Sequence, residues 1–342
     1  MRIESSATTI TWIPSEAIEG ATKLPFSMGI AHYDTPPPET LDGSSVTEIL
    51  DDLRAADRYR FANHLTAWIE VEDGQITGFG QGGSGIIGST TMKIGRAVTV
   101  AAVPFGEIRP DPEVGDGWVR FRQSAGGHTG VPAPRHVNRP PFVQIVAPIA
   151  WTTLELTIRA DGRAEVGLVG ASPFPRHWVY DDTGKLSLKS GMIDFKDWYR
   201  TAFGKHSPWG DEHSPALATE AETALERRLS VTIMRGGKKP KLRTVRKGHT
   251  VVQQGDLGVE LLLLLDGVLG VEVDGETLAE LGPGAVLGER AILEGGRRTS
   301  TLRAITRCKL AVARSVDLDV ESLTALQAGH RREIAHGPGG AG

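Results

Sequence analysis

The sequence predicts a mainly β protein: an N-terminal antiparallel β-barrel or sandwich, then a second set of short strands with flanking helices. Three observations predict it. Apolar and polar residues alternate in runs joined by turn dipeptides, as at Asp73-Gly74 and Asp161-Gly162. The 42 glycines and 20 prolines of the 342-residue chain punctuate it at short intervals and bound the strands. Apolar residues at helical spacing occur in few segments, which argues against a doubly wound α/β fold.

Composition narrows the function classes. With 39% apolar and 23% charged residues the chain is not disordered. One cysteine excludes an intrachain disulfide framework and any metal site built from several thiolates. The start, MRIESSATTITWIPSE, has no basic-then-apolar signal pattern, and no run of about 18 apolar residues occurs. A cytoplasmic protein without a membrane partner is the expectation. The formal charge of −4 is uneven: Ser230–Gly342 carries 16 basic and 13 acidic residues, the preceding part 22 and 29. Neither part has the concentrated basic face of a nucleic-acid-binding domain.

The first landmark in chain order is Pro36, Pro37 and Pro38, which forbid helix and central strand. A helix comes next, opened by the capping-box pair Ser45 and Glu48, with Ile49, Leu50, Leu53 and Ala56 on one face. From Leu65 to about Leu188 strands dominate. Ala67, Ile69 and Val71 alternate with Trp68, Glu70 and Glu72, and Leu154, Leu156 and Ile158 are answered by Val166 and Leu168. Further strands are expected at 97–103, 118–123 and 142–149. Ser214-Pro215 opens a helix carrying Leu217, Ala221, Ala224, Leu225 and Leu229, which Gly236-Gly237 ends. The predicted domains are therefore 1–212, β-rich; 213–236, a connecting helix; 237–328, a second β domain; and 329–342, a flexible tail after Gly329.

Short glycine-separated strands fill the second β domain. Gly248…Gln254-Gly255-Asp256, Leu262–Leu265 followed by Asp266-Gly267-Val268, and the Asp274-Gly275 turn lead to Gly288-Glu289-Arg290-Ala291…Arg297-Arg298-Thr299-Ser300-Thr301. Over residues 220–328 the sequence resembles a cyclic nucleotide-binding domain, the jelly-roll module of cyclic-AMP-dependent kinase regulatory subunits, cyclic-nucleotide-gated channels and the bacterial catabolite-activator class. The last segment resembles the phosphate-binding cassette, with an Arg nine residues after the Glu. Arg297 stands where the family commonly has proline, Leu287 where an aromatic is frequent, and Arg290 where an aliphatic residue is frequent.

The residue chemistry suits such a ligand. A cyclic phosphodiester is a single anion beside a ribose hydroxyl. Glu289 can accept from the hydroxyl, and Arg298 can give the phosphate a two-pronged hydrogen bond. Gly288 allows close backbone approach, and Arg290 and Ala291 offer backbone N–H groups at a short helix start. Thr299 and Ser300 add hydroxyls. The expected site is Gly288, Glu289, Arg290, Ala291, Arg298, Thr299 and Ser300, the ligand cAMP or cGMP, with no metal. An ordinary Glu289–Arg298 ion pair in a ligand-free jelly roll is the competing account. The base-capping residue is not placed; the candidate helix is DLDVESLTALQAGHRREI. After Arg314 too few residues remain for a winged helix-turn-helix, so no DNA-binding domain is expected. A homodimer is a candidate assembly. The basic run Arg235, Lys238, Lys239, Lys241, Arg243, Arg246 and Lys247 reads as a solvated strand face.

The N-terminal half holds weaker signals. Gly83-Ser84-Gly85-Ile86-Ile87-Gly88 fits G-x-G-x-x-G, but Ser89–Ile94 after it reads as strand, so a glycine-rich hairpin is expected rather than a dinucleotide loop. His32-Tyr33-Asp34, His177 with Asp181, Asp211-Glu212-His213, and His128, Arg135 and His136 are loop clusters that would have to converge to bind a metal or anion. Trp12, Trp118, Trp151, Trp178, Trp198 and Trp209 read as packing. Three functions are compatible with these signals: a cyclic-nucleotide-responsive regulatory protein, an enzyme with a catalytic N-terminal barrel gated by the C-terminal domain, or an assembly scaffold with a ligand-free jelly roll.

Overall fold

The computed structural model describes residues 1–14, 23, 33–42, 45–88, 90–94, 96–100, 102–129, 133–136, 140, 143–146, 148–191, 207–210, 218–235, 240–314 and 320–336. The chain divides into two units, Met1–Leu217 and Ala218–Gly342.

In the first unit the elements are β1 (Arg2–Trp12), α1 (Val46–Ala55), β2 (Phe61–Glu72), β3 (Gln75–Ile87), β4 (Thr90–Ile94), β5 (Arg96–Val100), β6 (Val103–Pro104), β7 (Glu113–Gly115), β8 (Trp118–His128), β9 (Ala133–His136), β10 (Val143–Val146), β11 (Ile149–Arg159), β12 (Ala164–Ala171), β13 (Arg176–Tyr180) and β14 (Leu186–Ser190). One antiparallel sheet runs β14-β13-β1-β2-β3 and a second runs β12-β11-β8-β6, with β7 also on β8. The alternation is as expected: Ala67, Ile69 and Val71 are buried, as are Leu154, Leu156 and Ile158. The β2–β3 hairpin turns at Asp73-Gly74, both with positive φ, as a tight hairpin requires. Helix α1 is capped as the sequence predicts, with Ser45 Oγ accepting from the Glu48 N–H at 3.1 Å.

A polar layer joins the two sheets. Thr9 and Thr152 hydroxyls meet at 3.0 Å. The Asn63 amide donates to Gln123 O and Thr152 O, and Gln123 Nε2 donates to Asn63 Oδ1 at 2.7 Å. All four side chains are buried, so these bonds satisfy groups that are costly to strand.

The G-x-G-x-x-G run is not a hairpin tip. Its first five residues lie inside β3, paired with β2, because the turn is already made at Asp73-Gly74. A Cβ at Gly83 or Gly88 would collide with the backbone carbonyl of His64 or Tyr59, which is why glycines stand there. Among the described residues, the N-terminal histidines and acids do not converge. Asp34 is buried against Arg60, with Nη2–Oδ1 at 2.7 Å. His177 is buried between Thr11 and Ser172, and burial lowers its pKa to about 4. Asp181 instead organises a surface turn through Thr183 and Lys185. His128 packs edge-on against Phe105. His32 and Asp211–His213, and the side chains of Arg135 and His136, fall outside the described residues.

The second unit contains β15 (Ala218–Glu220), α2 (Ala224–Arg235), β16 (Lys241–Val245), β17 (Thr250–Val252), β18 (Glu260–Asp266), β19 (Leu269–Val273), β20 (Glu276–Leu281), β21 (Val286–Leu287), α3 (Glu289–Leu293), β22 (Thr301–Ala304), β23 (Cys308–Arg314) and α4 (Val320–His336). Two four-stranded sheets, β16-β23-β18-β21 and β17-β22-β19-β20, form the jelly roll. The leucine run of β18 is buried on both faces. Leu262 and Leu264 join Leu269, Leu302, Cys308 and Leu310 between the sheets. Leu261 and Leu263 instead meet Leu229 and Ile233 of α2 and Leu323 and Leu326 of α4. Cys308 is fully buried, its thiol donating to Val268 O at 3.2 Å, and burial pushes its pKa up to about 11.

Two boundaries differ from expectation. The connecting helix is Ala224–Arg235: residues 218–220, expected within it, are strand, Thr223 with Glu226 makes the capping box that fixes the helix start, and the expected start at Ser214-Pro215 lies outside the described residues. Helix α4 runs through Gly329 to His336, where the tail was expected. A helical glycine costs about 1 kcal/mol, and the hydrogen bonds of the next residue, His330, offset it. Among the described residues, no helix is long and apolar enough to cross a membrane, and no group of three or more His, Cys, Asp or Glu could hold a metal.

Candidate functional site

A cavity of about 690 Å³ opens in the second unit. The wall comes from the segment 218–222, Glu226 of α2, strands β17, β19 and β20, the end of β21, α3, Arg298–Ser300, Leu302 and His330 of α4. Every residue expected at the site lines it: Gly288, Glu289, Arg290, Ala291, Arg298, Thr299 and Ser300.

Gly288 follows β21 with φ 99°, a left-handed turn that suits glycine, and starts α3. This swings Glu289, the first residue of α3, into the interior at 4% exposure. Arg298 is held by backbone on both sides. Its N–H donates to Asp256 O at 2.8 Å, and its carbonyl accepts from Gly255 N–H at 2.8 Å. The Gly255 turn that the sequence offers is therefore what seats the arginine. Arg297, in the place of the family's proline, donates to Gly255 O at 2.8 Å and so braces the same turn.

Arg298 is 6% exposed. Its Nη1 donates to Glu260 O at 2.9 Å, and among the described residues the other guanidinium donors have no hydrogen-bond partner. The guanidinium lies over two glycines. A Cβ at Gly258 would come within 2.6 Å of Cζ, and one at Gly288 would sit 2.5 Å from Nη1. Burial lowers the Arg298 pKa, with Glu260 and Glu289 opposing that shift. No ion pair joins Arg298 to Glu289, so a simple structural pairing of the two is not what this pocket contains.

Glu289 bonds elsewhere. Oε1 lies 3.0 Å from Nδ1 of His330 on α4. The other ring nitrogen lies 3.4 Å from Glu226 Oε1 on α2. Burial works against charge on this imidazole, but the hydrogen bonds and charges of Glu226 and Glu289 outweigh it and raise its pKa to about 10. Burial likewise opposes ionisation of Glu226, while His330 and the N–H groups of Thr223 and Val286 hold its carboxyl below the ordinary value. Sequence reasoning missed His330, Glu226 and Gly258. Only Glu226 had a local signal, the Thr-x-x-Glu spacing from Thr223.

Residues 242–320 match the family model of the cyclic nucleotide-binding domain. The second unit carries a cyclic nucleotide-binding domain. Curated relatives of this domain class match the chain over short stretches. A cGMP-dependent protein kinase of Caenorhabditis briggsae, egl-4, is 39% identical over 67 residues, 20% of this chain and 9% of that protein. The mouse potassium/sodium hyperpolarization-activated cyclic nucleotide-gated channel 2 is 32% identical over 72 residues, 21% of this chain and 8% of that protein. The matched stretches thus span less than a tenth of the length of these relatives. Among solved structures, the catabolite activator protein of Thermus thermophilus is 28% identical, with a TM-score of 0.26, over 32% of this chain and 56% of that one.

Proposed function

We propose that the cyclic nucleotide-binding domain takes cAMP or cGMP in the 690 Å³ cavity, and that the chain is a regulatory sensor in which occupancy controls the N-terminal unit. One observation carries this reading: a buried guanidinium with unused donors and a buried carboxylate face one cavity without pairing to each other. An anion with an adjacent hydroxyl satisfies both. Arg298 takes the phosphate, held from below by Gly258 and Gly288; Glu289 accepts from the ribose 2′-hydroxyl; Thr299 and Ser300 add hydroxyl donors; Arg290 and Ala291 flank the phosphate. The volume lies in the usual range for small-molecule sites, about 300–1,000 Å³. The match to a cGMP-dependent kinase and to a cyclic nucleotide-gated channel supports the ligand class.

Calorimetry on the full chain with both nucleotides tests it. Binding of at least one is expected, and the affinity ratio identifies the base. Arg298→Ala removes a charge-assisted pair worth about 1.5–3 kcal/mol per bond, so affinity falls at least about tenfold. No heat with either nucleotide at about 1 mM, a threshold of about −4 kcal/mol, rejects the reading. Control of the first unit requires that nucleotide prefer one of two states of the chain. Hydrogen exchange within residues 1–191 should therefore change on saturation.

A further inference from the structure

We infer that His330 is an intramolecular competitor of the nucleotide, and that filling the cavity and releasing helix α4 from the cassette are one event. This rests on the reading of Glu289 as the ribose acceptor.

The geometry is a three-way clasp. Helix α4 buries Leu323 and Leu326 on the helix-facing side of the jelly roll. The next residue, Gln327, donates through its amide to Glu294 at the end of α3. His330 then lies in the cavity wall between Glu289, at the start of α3, and Glu226, with 13% of its side chain exposed. With its ring held by two carboxylates, His330 is an imidazolium, and it already gives Glu289 what a ribose hydroxyl would give, with a full charge in addition. A hydroxyl entering at Glu289 meets an acceptor whose charge is already neutralised and whose Oε1 is already paired. The other charged residues that line the cavity are Glu220, Glu222, Glu280, Arg290 and Arg298. None of them is hydrogen bonded to Glu289.

The clasp also has an outlet. Glu226, the far partner of His330, is the capping-box residue of α2 and accepts the Val286 N–H of β21 at 3.2 Å. Losing the imidazolium therefore leaves a buried carboxylate at the start of α2 with its backbone partners and the Thr223 hydroxyl alone. Nucleotide arrival is felt at both α4 and α2 through one side chain.

The test uses the full chain, cAMP and cGMP, and the variants His330→Gln and His330→Ala, with thermal melting to establish that each folds. Both variants are expected to bind the preferred nucleotide about tenfold more tightly than the native chain, the scale of one charged hydrogen bond. Arg298→Ala in the same background should remove that binding. Folded His330 variants with unchanged or weaker affinity overturn the proposal, because a ligand-contacting histidine would give that result. Hydrogen exchange of residues 320–336 in the native chain decides independently if the variants fail to fold. Faster exchange on adding nucleotide supports the clasp, and unchanged or slower exchange refutes it. If the native chain binds through Arg298 and the histidine variants match it, only this inference fails. If neither native nor variant chains bind, the proposed site fails with it.

Discussion

Gly258→Ala perturbs the anion site without touching any charge. Gly258 does not have the positive φ that excludes alanine, so the backbone accepts the change. What it cannot accept is the new methyl group beneath Arg298, 2.6 Å from Cζ and 2.7 Å from Nη2. Ordinary non-bonded contacts lie near 3.5 Å, so the guanidinium must move by about 1 Å. It has nowhere to go without loss, since Nη1 is tied to Glu260 O and lies close above Gly288. A displacement of that size costs at least one of two bonds to a phosphate, about 1.5–3 kcal/mol, or roughly 10- to 150-fold in affinity. Folding should survive, since replacing a glycine where alanine's backbone angles fit gains about 0.4–1 kcal/mol through the unfolded chain. Calorimetry with cAMP and cGMP, paired with thermal melting, reads both quantities. A folded variant that binds as tightly as the native chain would show that Arg298 does not hold the anion.

Buried polar groups give two further outcomes. The folded-state pKa of His330, about 10, lies above its ordinary 6.5, so its stabilising contribution is complete below about pH 6.5 and is lost as pH rises through 10. Chemical denaturation of the second unit should weaken between pH 7 and 10 by more in the native chain than in His330→Gln; parallel curves would refute it. Asn63→Ala removes the amide that donates to Gln123 O and Thr152 O and accepts from Gln123 Nε2 between the sheets of the first unit. A loss of about 2–4 kcal/mol is expected in urea unfolding, and a loss below about 1 kcal/mol would show the layer to be dispensable.

Local signals carried most of the fold. Ser45 with Glu48, Asp73-Gly74 and the alternation about Ile69 and Leu156 act within a few residues, so pattern suffices to find them. The cassette was equally legible, because Gly288, Glu289 and Arg298 lie within eleven residues on one short loop and helix. The chemistry beside Glu289 was not. His330 and Glu226 approach it from 41 and 63 positions away, on helices whose placement depends on how Leu229, Leu323 and Leu326 cover the jelly roll. The late start of α2 has a similar cause. Ser214-Pro215 is a good capping pair, but Thr223–Glu226 is a better anchored one, tied to Val286 and His330. The glycines of β3 have the spacing of a phosphate loop, but the strand pattern after them already argues against one, and here the spacing marks close passage of two strands.

Cys308 makes the second unit self-reporting. It is the only thiol in the chain, and it sits sealed between the sheets with Gly267 against its sulfur. A thiol-reactive probe must wait for that β layer to part. The labelling rate of the unmodified protein thus clocks the opening of one unit while the other stays silent. A bound nucleotide that steadies the jelly roll would lengthen the wait, with no tag, dye or engineered residue needed to see it.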